Sequence, residues 1–361
     1  MIGISHIFLT AMIVTGICVY LIGSPERRIL TYTRVNSDGT RLLKLPNAFN
    51  VVFMKDKRFK HTRDVNAANI VFFERLTDIH VLYKTIDDDS KLYYSLACID
   101  HISSKSRLYE MLNKRLGSQV SHLVPATLAI NSRTTVEDIE KFAQSSGTNK
   151  LIFKSNVQQQ RGLNISSVED SNTVNLREFV VVQELLFDAY LIAGHKINLR
   201  QYVIGTCDKY SKLHFFAYTD GFVYYASDKF EEDTFDAHVT SGHIDRKIYE
   251  ANPLTIKDFE RSLDKDCITF MNNKKGCLRT MFAAITPDLE EIEKKVPVAK
   301  FTILGVDLHV TSELKILVME INKGCDLSFK DSRDGRLKEK MIRDTLSLVV
   351  DGDTTNFTVL C

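Results

Sequence analysis

The sequence predicts a mixed α/β (α+β) protein: one hydrophobic helix, then a small N-terminal α/β unit, a central domain and a C-terminal domain. Three observations predict this. The stretch FTILGVDLHVTSELKILVMEINKGCDL, Phe301 to Leu327, alternates apolar and polar residues at the period of strands. Segments such as SRLYEMLNKRL carry apolar residues at helical spacing instead. Finally, 361 residues with 44% hydrophobic content fill two or three cores, and no low-complexity linker holds them apart.

Taken in order, Met1 to Gly23 has no charged side chain and is followed by Pro25-Glu26-Arg27-Arg28. About twenty apolar-rich residues suit a spanning helix, so residues 1–24 are expected to be a single-pass membrane anchor. The positive charge behind them puts the rest of the chain on the cytoplasmic side. A cleaved signal peptide is the alternative, although no Lys or Arg precedes the run and its cleavage residues are poor; a buried core helix is a third reading. Residues 29–95, with short apolar runs NAFNVVFM and ANIVFFERL, read as the small α/β unit. Residues 96–190 open with the SRLYEMLNKRL helix, and Thr134-Thr135 precede EDIEKFAQSS as an N-cap would. Residues 191–361 hold the long strands; Asp258 to Lys295 looks mainly helical, with Pro287 near the start of PDLEEIEKKV, as a first helical turn allows.

The Phe301–Leu327 hairpin carries the chemistry. Leu304, Val306, Leu308 and Val310 point one way, and Leu317, Met319 and Ile321 form the apolar face of the return strand. With Thr311 to Leu314 as the turn and Val310 opposite Lys315, Asp307 faces Val318 and lies diagonal to Glu320, with Asn322 next on that face. Diagonal neighbours are roughly 7–8 Å apart at Cα, within reach of a shared cation. Paired carboxylates repel unless a proton or metal separates them. Oxygen ligands with few charges suit Mg²⁺ bound with a substrate phosphate. The alternative is the wet face of an ordinary amphipathic hairpin.

Two further segments point the same way. In GHKINLRQYVIG, Lys196, Asn198, Arg200 and Tyr202 alternate with Ile197, Leu199 and Val203, which puts a lysine, an amide and a guanidinium on one strand face. In KLIFKSNVQQQRGLNIS, Lys154 ends an apolar run and a polar loop closes on Arg161-Gly162. A strand lysine beside a Gly-containing loop can hold nucleotide phosphates, by charge and by loop amides. Between them, EFVVVQELLFDAYLIAG is a buried strand running into Gln183 and Glu184, where backbone groups could read an adenine edge.

These segments, in this order, resemble the tubulin–tyrosine ligase family, a branch of the ATP-grasp ligases, over roughly residues 95 to 330. FVVVQELLFDAYLIAGHKINLRQYV, LHFFAYTDGFVYYASDKF, DAHVTSGHID and ILGVDLHVTSELKILVMEINKGCDL each match a family segment, and DHISSKSRLYEMLNKRL is similar to the lysine-containing helix that starts the family's central domain. The resemblance implies an ATP-grasp-type fold and an ATP-dependent carboxylate–amine ligase working with Mg²⁺, two ions in the family's manner. Its residues would be Lys105 and Lys154 on the phosphates, with Arg161 and Gly162 in a mobile loop over them. Gln183, Glu184, Leu185 and Leu186 would line the adenine pocket, and Lys196, Asn198 and Thr240 would belong to the nucleotide site. Lys196 and Arg200 would face the triphosphate and the reacting carboxylate, and Asp307, Glu320 and Asn322 would hold the metal. The partners implied are a free amino acid and a protein acceptor, with tubulin inherited from the family.

The departures matter as much. Asn198 stands where the family usually has Asp, Ser241 where it has Asn, Tyr224 where it has Arg, and Cys325 where Pro is common. A lost guanidinium removes a bidentate carboxylate grip that tyrosine cannot reproduce, so the relatives' amino-acid specificity does not transfer. This keeps a second reading open, a degenerate relative that binds nucleotide or a partner without ligation, and a third, a phosphotransferase. Lys plus Arg is 47 against 46 acidic residues, so overall charge gives no reason to expect nucleic acid. The run Lys55 to His61 is either a local docking patch or a solvated face. Seven scattered cysteines without CxxC spacing favour reduced thiols over a disulfide framework or zinc site.

Overall fold

The computed structural model describes residues 29–39, 41–85, 91–156, 162–230, 234–241 and 244–361. The expected anchor, residues 1–24, lies outside them; among the described residues no helix is long and apolar enough to cross a membrane. The first strands, β1 (Leu30–Val35), β2 (Phe59–His61), β3 (Ile70–Phe73) and β4 (Leu92–Tyr94), pair in parallel in the order β2-β1-β3-β4. Helix α1 (Asn47–Lys55) covers them, and Phe49 packs its ring against Phe72 and Tyr94. Helix α2 (Lys105–Leu116) follows, capped by the Ser104 side chain, and buries Leu108 and Leu112.

A separate antiparallel sheet comes next, with β5 (Thr127–Ala129), β6 (Lys150–Lys154), β7 (Leu163–Ser167) and β8 (Val181–Glu184) in the order β5-β8-β6-β7. Its own core is Ile139, Ala143, Leu151, Phe153 and Val182. Helix α3 (Val136–Ser146) begins where expected, with Thr135 and Asp138 capping each other reciprocally, and stops at Gly147 with φ +68°.

The rest of the chain returns to the first sheet. Strands β9 (Leu191–Ile192), β10 (His195–Cys207), β11 (Leu213–Ala226) and β12 (Thr240–Ser241) are followed by helices α4 (Ile256–Ser262) and α5 (Cys267–Glu293). Then come β13 (Lys300–Val310), β14 (Ile316–Lys323), α6 (Ser332–Asp351) and β15 (Phe357–Val359). The main sheet runs β12-β11-β10-β13-β4-β3-β1-β2, with β14 also on β13. Strand β13 thus lies between β10 on one side and, on the other, β4 at its first residues and β14 along the remainder.

One expectation is corrected. Pro287 does not open a helix: it sits inside α5, because Phe282, Ile285 and Leu289 continue the buried stripe through it. The Lys55–His61 run is a solvated face, with Lys55, Lys57, Lys60 and His61 exposed; Lys55 pairs with Glu339 (2.7 Å) and Arg58 with Asp56 and Asp351 (2.9 Å each), tying the first unit to α6. Where α5 turns into β13, the fully buried Glu293 and Lys300 pair at 2.7 Å, and Glu293 Oε1 accepts from the Cys98 N–H.

Candidate functional site

The hairpin forms, in a different register. Val310 pairs with Ile316 rather than Lys315, because the turn holds five residues: the Thr311 N–H donates to the Lys315 carbonyl, and Leu314 takes φ +61°. Leu308 pairs with Val318, and the register then shifts so that Asp307 stands directly opposite Glu320. Met319 is the extra residue of this bulge. The bulge also changes the phase of β14, so its buried side chains are Ile316, Val318 and Ile321, not Leu317, Met319 and Ile321. The two carboxylates are cross-strand neighbours, with Asn322 beside them. Its Nδ2 donates to Asp307 Oδ2 (3.1 Å) and to Glu320 Oε1 (2.9 Å).

Strand β10 brings the cations. Ala193 and Gly194, both at positive φ, close the two-residue turn that sets Lys196 opposite Leu191. Lys196 Nζ donates to the Leu186 carbonyl (2.9 Å), on the segment expected to line the adenine pocket. Arg200 stands opposite Asp307 and forks onto it, Nε to Oδ1 at 2.6 Å and Nη2 to Oδ2 at 3.0 Å. Gly305 makes this possible: a Cβ there would lie 3.0 Å from Arg200 Cδ and 3.2 Å from Nη1. The Tyr224 ring lies 5.2 Å from the guanidinium carbon. Asn198 stands between Tyr224 and His309 on the neighbouring strands.

The small sheet and α2 face this cluster. Lys105 Nζ lies 3.5 Å from Glu320 Oε2. Lys154, at the end of β6, is buried and close enough that Glu320, Lys105 and Asp307 act on its charge. A narrow cleft of about 20 Å³, room for roughly one water and far below the size of a nucleotide site, is lined by Lys105, Tyr109, Thr127, Gln183, Met319 and Glu320. Gln183 Nε2 donates to Thr127 Oγ1 (2.7 Å), while its buried Oε1 has no partner among the described residues. That orphaned acceptor suits a ligand with an N–H to offer. The Glu184 carboxylate is engaged otherwise, accepting from the Ala126 N–H (2.8 Å), and Leu185 is bonded through its N–H to Lys150. Gly162, at φ +71°, closes the loop base against Ser155; Arg161 lies outside the described residues. Thr240 pairs with Ala226, one strand beyond Tyr224's.

Burial, with Lys105 and Asp307 nearby, decides the charges. It pushes the amine of Lys154 down to about 8, against the opposing pull of Glu320, and that of Lys196 also to about 8. Burial raises the Asp307 carboxyl despite Arg200. Burial also acts to raise Glu320, but Lys105, Lys154 and the Asn322 amide outweigh it and hold Glu320 below the usual range. His309, which alternation from Asp307 places on the same face, escaped the sequence reading. Burial pushes it down to about 4; its Nε2 donates to the Asp188 carbonyl (2.7 Å), fixing the segment that follows Leu186. Its signal was the i, i+2 spacing alone.

Asp307, Glu320 and Asn322 offer two carboxylates and an amide, the hard oxygen set that suits Mg²⁺ completed by water and phosphate. Among the described residues no group of three or more His, Cys, Asp or Glu could hold a metal, so this set depends on the Asn322 amide as its third donor. The residues fit the ion once the amide turns its oxygen inward.

A sequence model described as the tubulin–tyrosine ligase family matches residues 87–357. The chain is 25% identical over 273 residues to tubulin monoglutamylase TTLL4 of Mus musculus, covering 68% of this chain and 22% of that protein. It is 25% identical over 188 residues to probable tubulin polyglutamylase TTLL9 of Rattus norvegicus, covering 48% and 39%. With probable tubulin polyglutamylase TTLL2 of Homo sapiens it shares 24% over 270 residues, covering 69% and 43%. The chain spans less than half the length of each of these relatives.

Proposed function

The chain belongs to the tubulin–tyrosine ligase family of the ATP-grasp superfamily, and on that footing we propose that it is an ATP- and Mg²⁺-dependent carboxylate–amine ligase. It would add an amino acid to a protein carboxylate, with tubulin the first acceptor to try because the relatives' names specify it. The observation that carries this reading is the convergence of Lys105, Lys154 and Arg200 on the Asp307–Glu320 pair, with Lys196 beside Lys154, next to the cleft that ends at Gln183. The nucleotide would lie between the central unit, residues 96–190, and the C-terminal unit, residues 191–361.

In the proposed reaction a carboxylate oxygen attacks the γ-phosphorus, ADP leaves, and an acylphosphate forms. The amine nitrogen then attacks the acyl carbon, the carbon–oxygen bond to phosphate breaks, and the amine proton passes to solvent. Such chemistry needs positioned cations and excluded water more than a covalent nucleophile. Lys105 and Lys154 would neutralise phosphate oxygens, and Gln183 Oε1 would accept from the base. Lys196 would hold the Leu186 carbonyl while reaching the phosphates, and Arg200 would stabilise charge on the acyl centre. Asp307, Glu320 and Asn322 would hold Mg²⁺, which would supply Lewis-acid polarisation of phosphoryl oxygens when bound.

Tyr224 favours one other reading, nucleotide binding without ligation, since its ring occupies Arg200's flank where the family usually has a guanidinium. Glu320→Gln separates them from wild type: ADP formation with amino acid and acceptor supplied is expected to vanish, with stability shifted by about 1 kcal/mol or less for this partly exposed pair. Unchanged turnover would remove the metal assignment, and wild-type protein that binds ATP yet never releases ADP would select the binding reading.

A further inference from the structure

We infer that Arg200 is the resident counter-ion of the carboxylate pair: a divalent cation competes with it for Asp307 and gains the site together with a nucleotide, not before it. This rests on the nucleotide-and-metal reading above. Both Asp307 oxygens are taken by the Arg200 fork, at 2.6 and 3.0 Å. The fork is braced on two sides, by Tyr224 over the guanidinium and by the missing Cβ of Gly305 beneath it. Glu320 faces Lys105, and the Asn322 amide turns its N–H side to both carboxylates. Both carboxylates of the metal set are therefore held by donors of the chain itself, and the Asn322 amide presents its N–H side to them rather than its oxygen.

The charge balance points the same way. Three cationic side chains, Lys105, Lys154 and Arg200, stand against two carboxylates, with Lys196 next to Lys154, so the site repels a bare cation and attracts a polyanion. A triphosphate reverses that sign. It also offers Arg200 a second bidentate partner, since guanidinium binds phosphate oxygens in the same fork geometry as carboxylate. Drawing Arg200 onto phosphate frees Asp307 for the metal, so each ligand raises the other's affinity by the same factor.

The test titrates the full chain with Mn²⁺, a paramagnetic stand-in for Mg²⁺, and reads the free ion by electron paramagnetic resonance without nucleotide. Wild type is expected to bind weakly, and Arg200→Gln more tightly by about tenfold or more. Arg200→Lys keeps the charge but cannot fork, so its Mn²⁺ affinity should rise above wild type, though less than in Arg200→Gln. Adding Asp307→Asn to Arg200→Gln should abolish the gain. In wild type, water-proton relaxation should show bound Mn²⁺ only when a non-hydrolysable ATP analogue is present, beyond the signal of analogue and ion alone. Equal Mn²⁺ affinity in wild type and Arg200→Gln, lost on Asp307→Asn, would overturn the inference and leave the metal reading intact. A lysine variant matching wild type would also overturn it, because bulk charge rather than displacement would then govern binding. No Mn²⁺ bound by any variant, with or without the analogue, would overturn both.

Discussion

Replacing Arg200 by Met leaves Asp307 in a buried position with one neutral partner, the Asn322 amide at 3.1 Å. The side chains of the pair are only 13% and 17% exposed, so solvent screens little of the loss. Breaking such a pair costs about 3–5 kcal/mol. Protonation sets a ceiling: taking an Asp of ordinary pKa about 3.9 to its neutral form at pH 7 costs about 4 kcal/mol. The Asp307 carboxyl is already raised by burial, and without Arg200 it rises further. A folded-state pKa above the unfolded one favours the fold below the unfolded value and is lost as pH rises through the folded one. The gap between variant and wild type should therefore widen from pH 5 to pH 7. Urea unfolding at both pH values measures it, and Arg200→Met with Asp307→Asn should recover most of the loss. A penalty below about 1 kcal/mol, or one independent of pH, would mean that the fork does not form in the ligand-free protein.

Three further outcomes are expected. Lys154 and Lys196 have folded pKa values near 8, so nucleotide binding should take up protons near that pH and weaken as pH rises through it; calorimetry in buffers of different ionisation enthalpy reads both, and a flat profile refutes the phosphate role. The same shifts cost folding stability in full below pH about 8 and fade towards the unfolded pKa of 10.5. Gly162→Ala would place a Cβ 2.0 Å from Ser155 Oγ at φ +71°; a strain of roughly 1–3 kcal/mol should speed hydrogen exchange in β6 and β7 and leave α5 and α6 unchanged. Lys300→Met strands the fully buried Glu293, and thermal unfolding should register a loss of about 3–5 kcal/mol, largely restored by adding Glu293→Gln.

Local rules made much of this molecule readable. Period-two alternation put Lys196, Asn198 and Arg200 on one face of β10, and the Thr135 cap located the start of α3. What they could not give was register. A five-residue turn and one extra residue at Met319 together turned a diagonal Asp307–Glu320 relation into a direct one and exchanged the buried residues of β14, and no local preference of a hairpin announces such a bulge. Pro287 misled for a related reason, because the tertiary stripe of α5 overrode a local stop signal. In the site, the placement of Lys105 came from family likeness, whereas Lys154 was marked by its own apolar run and the Gly-containing loop behind it. The Arg200–Asp307 fork joins strands far apart in the chain, and only their adjacency in the sheet could reveal it.

The pairing of β4 with the base of β13 bears on how the chain is made. Tyr93 and Tyr94 emerge from the ribosome long before Lys300 and Phe301, their partners in the sheet. Until β13 arrives, the N-terminal strands end on an open edge that any passing strand could extend. The Asp307 strand must insert between β4 and β10, so the hairpin that carries Asp307 and Glu320 is among the last parts to be set. Nascent chains stopped before residue 300 should be aggregation-prone, and fragments begun after Tyr94 should suffer the mirror-image fault, with the foot of β13 bare.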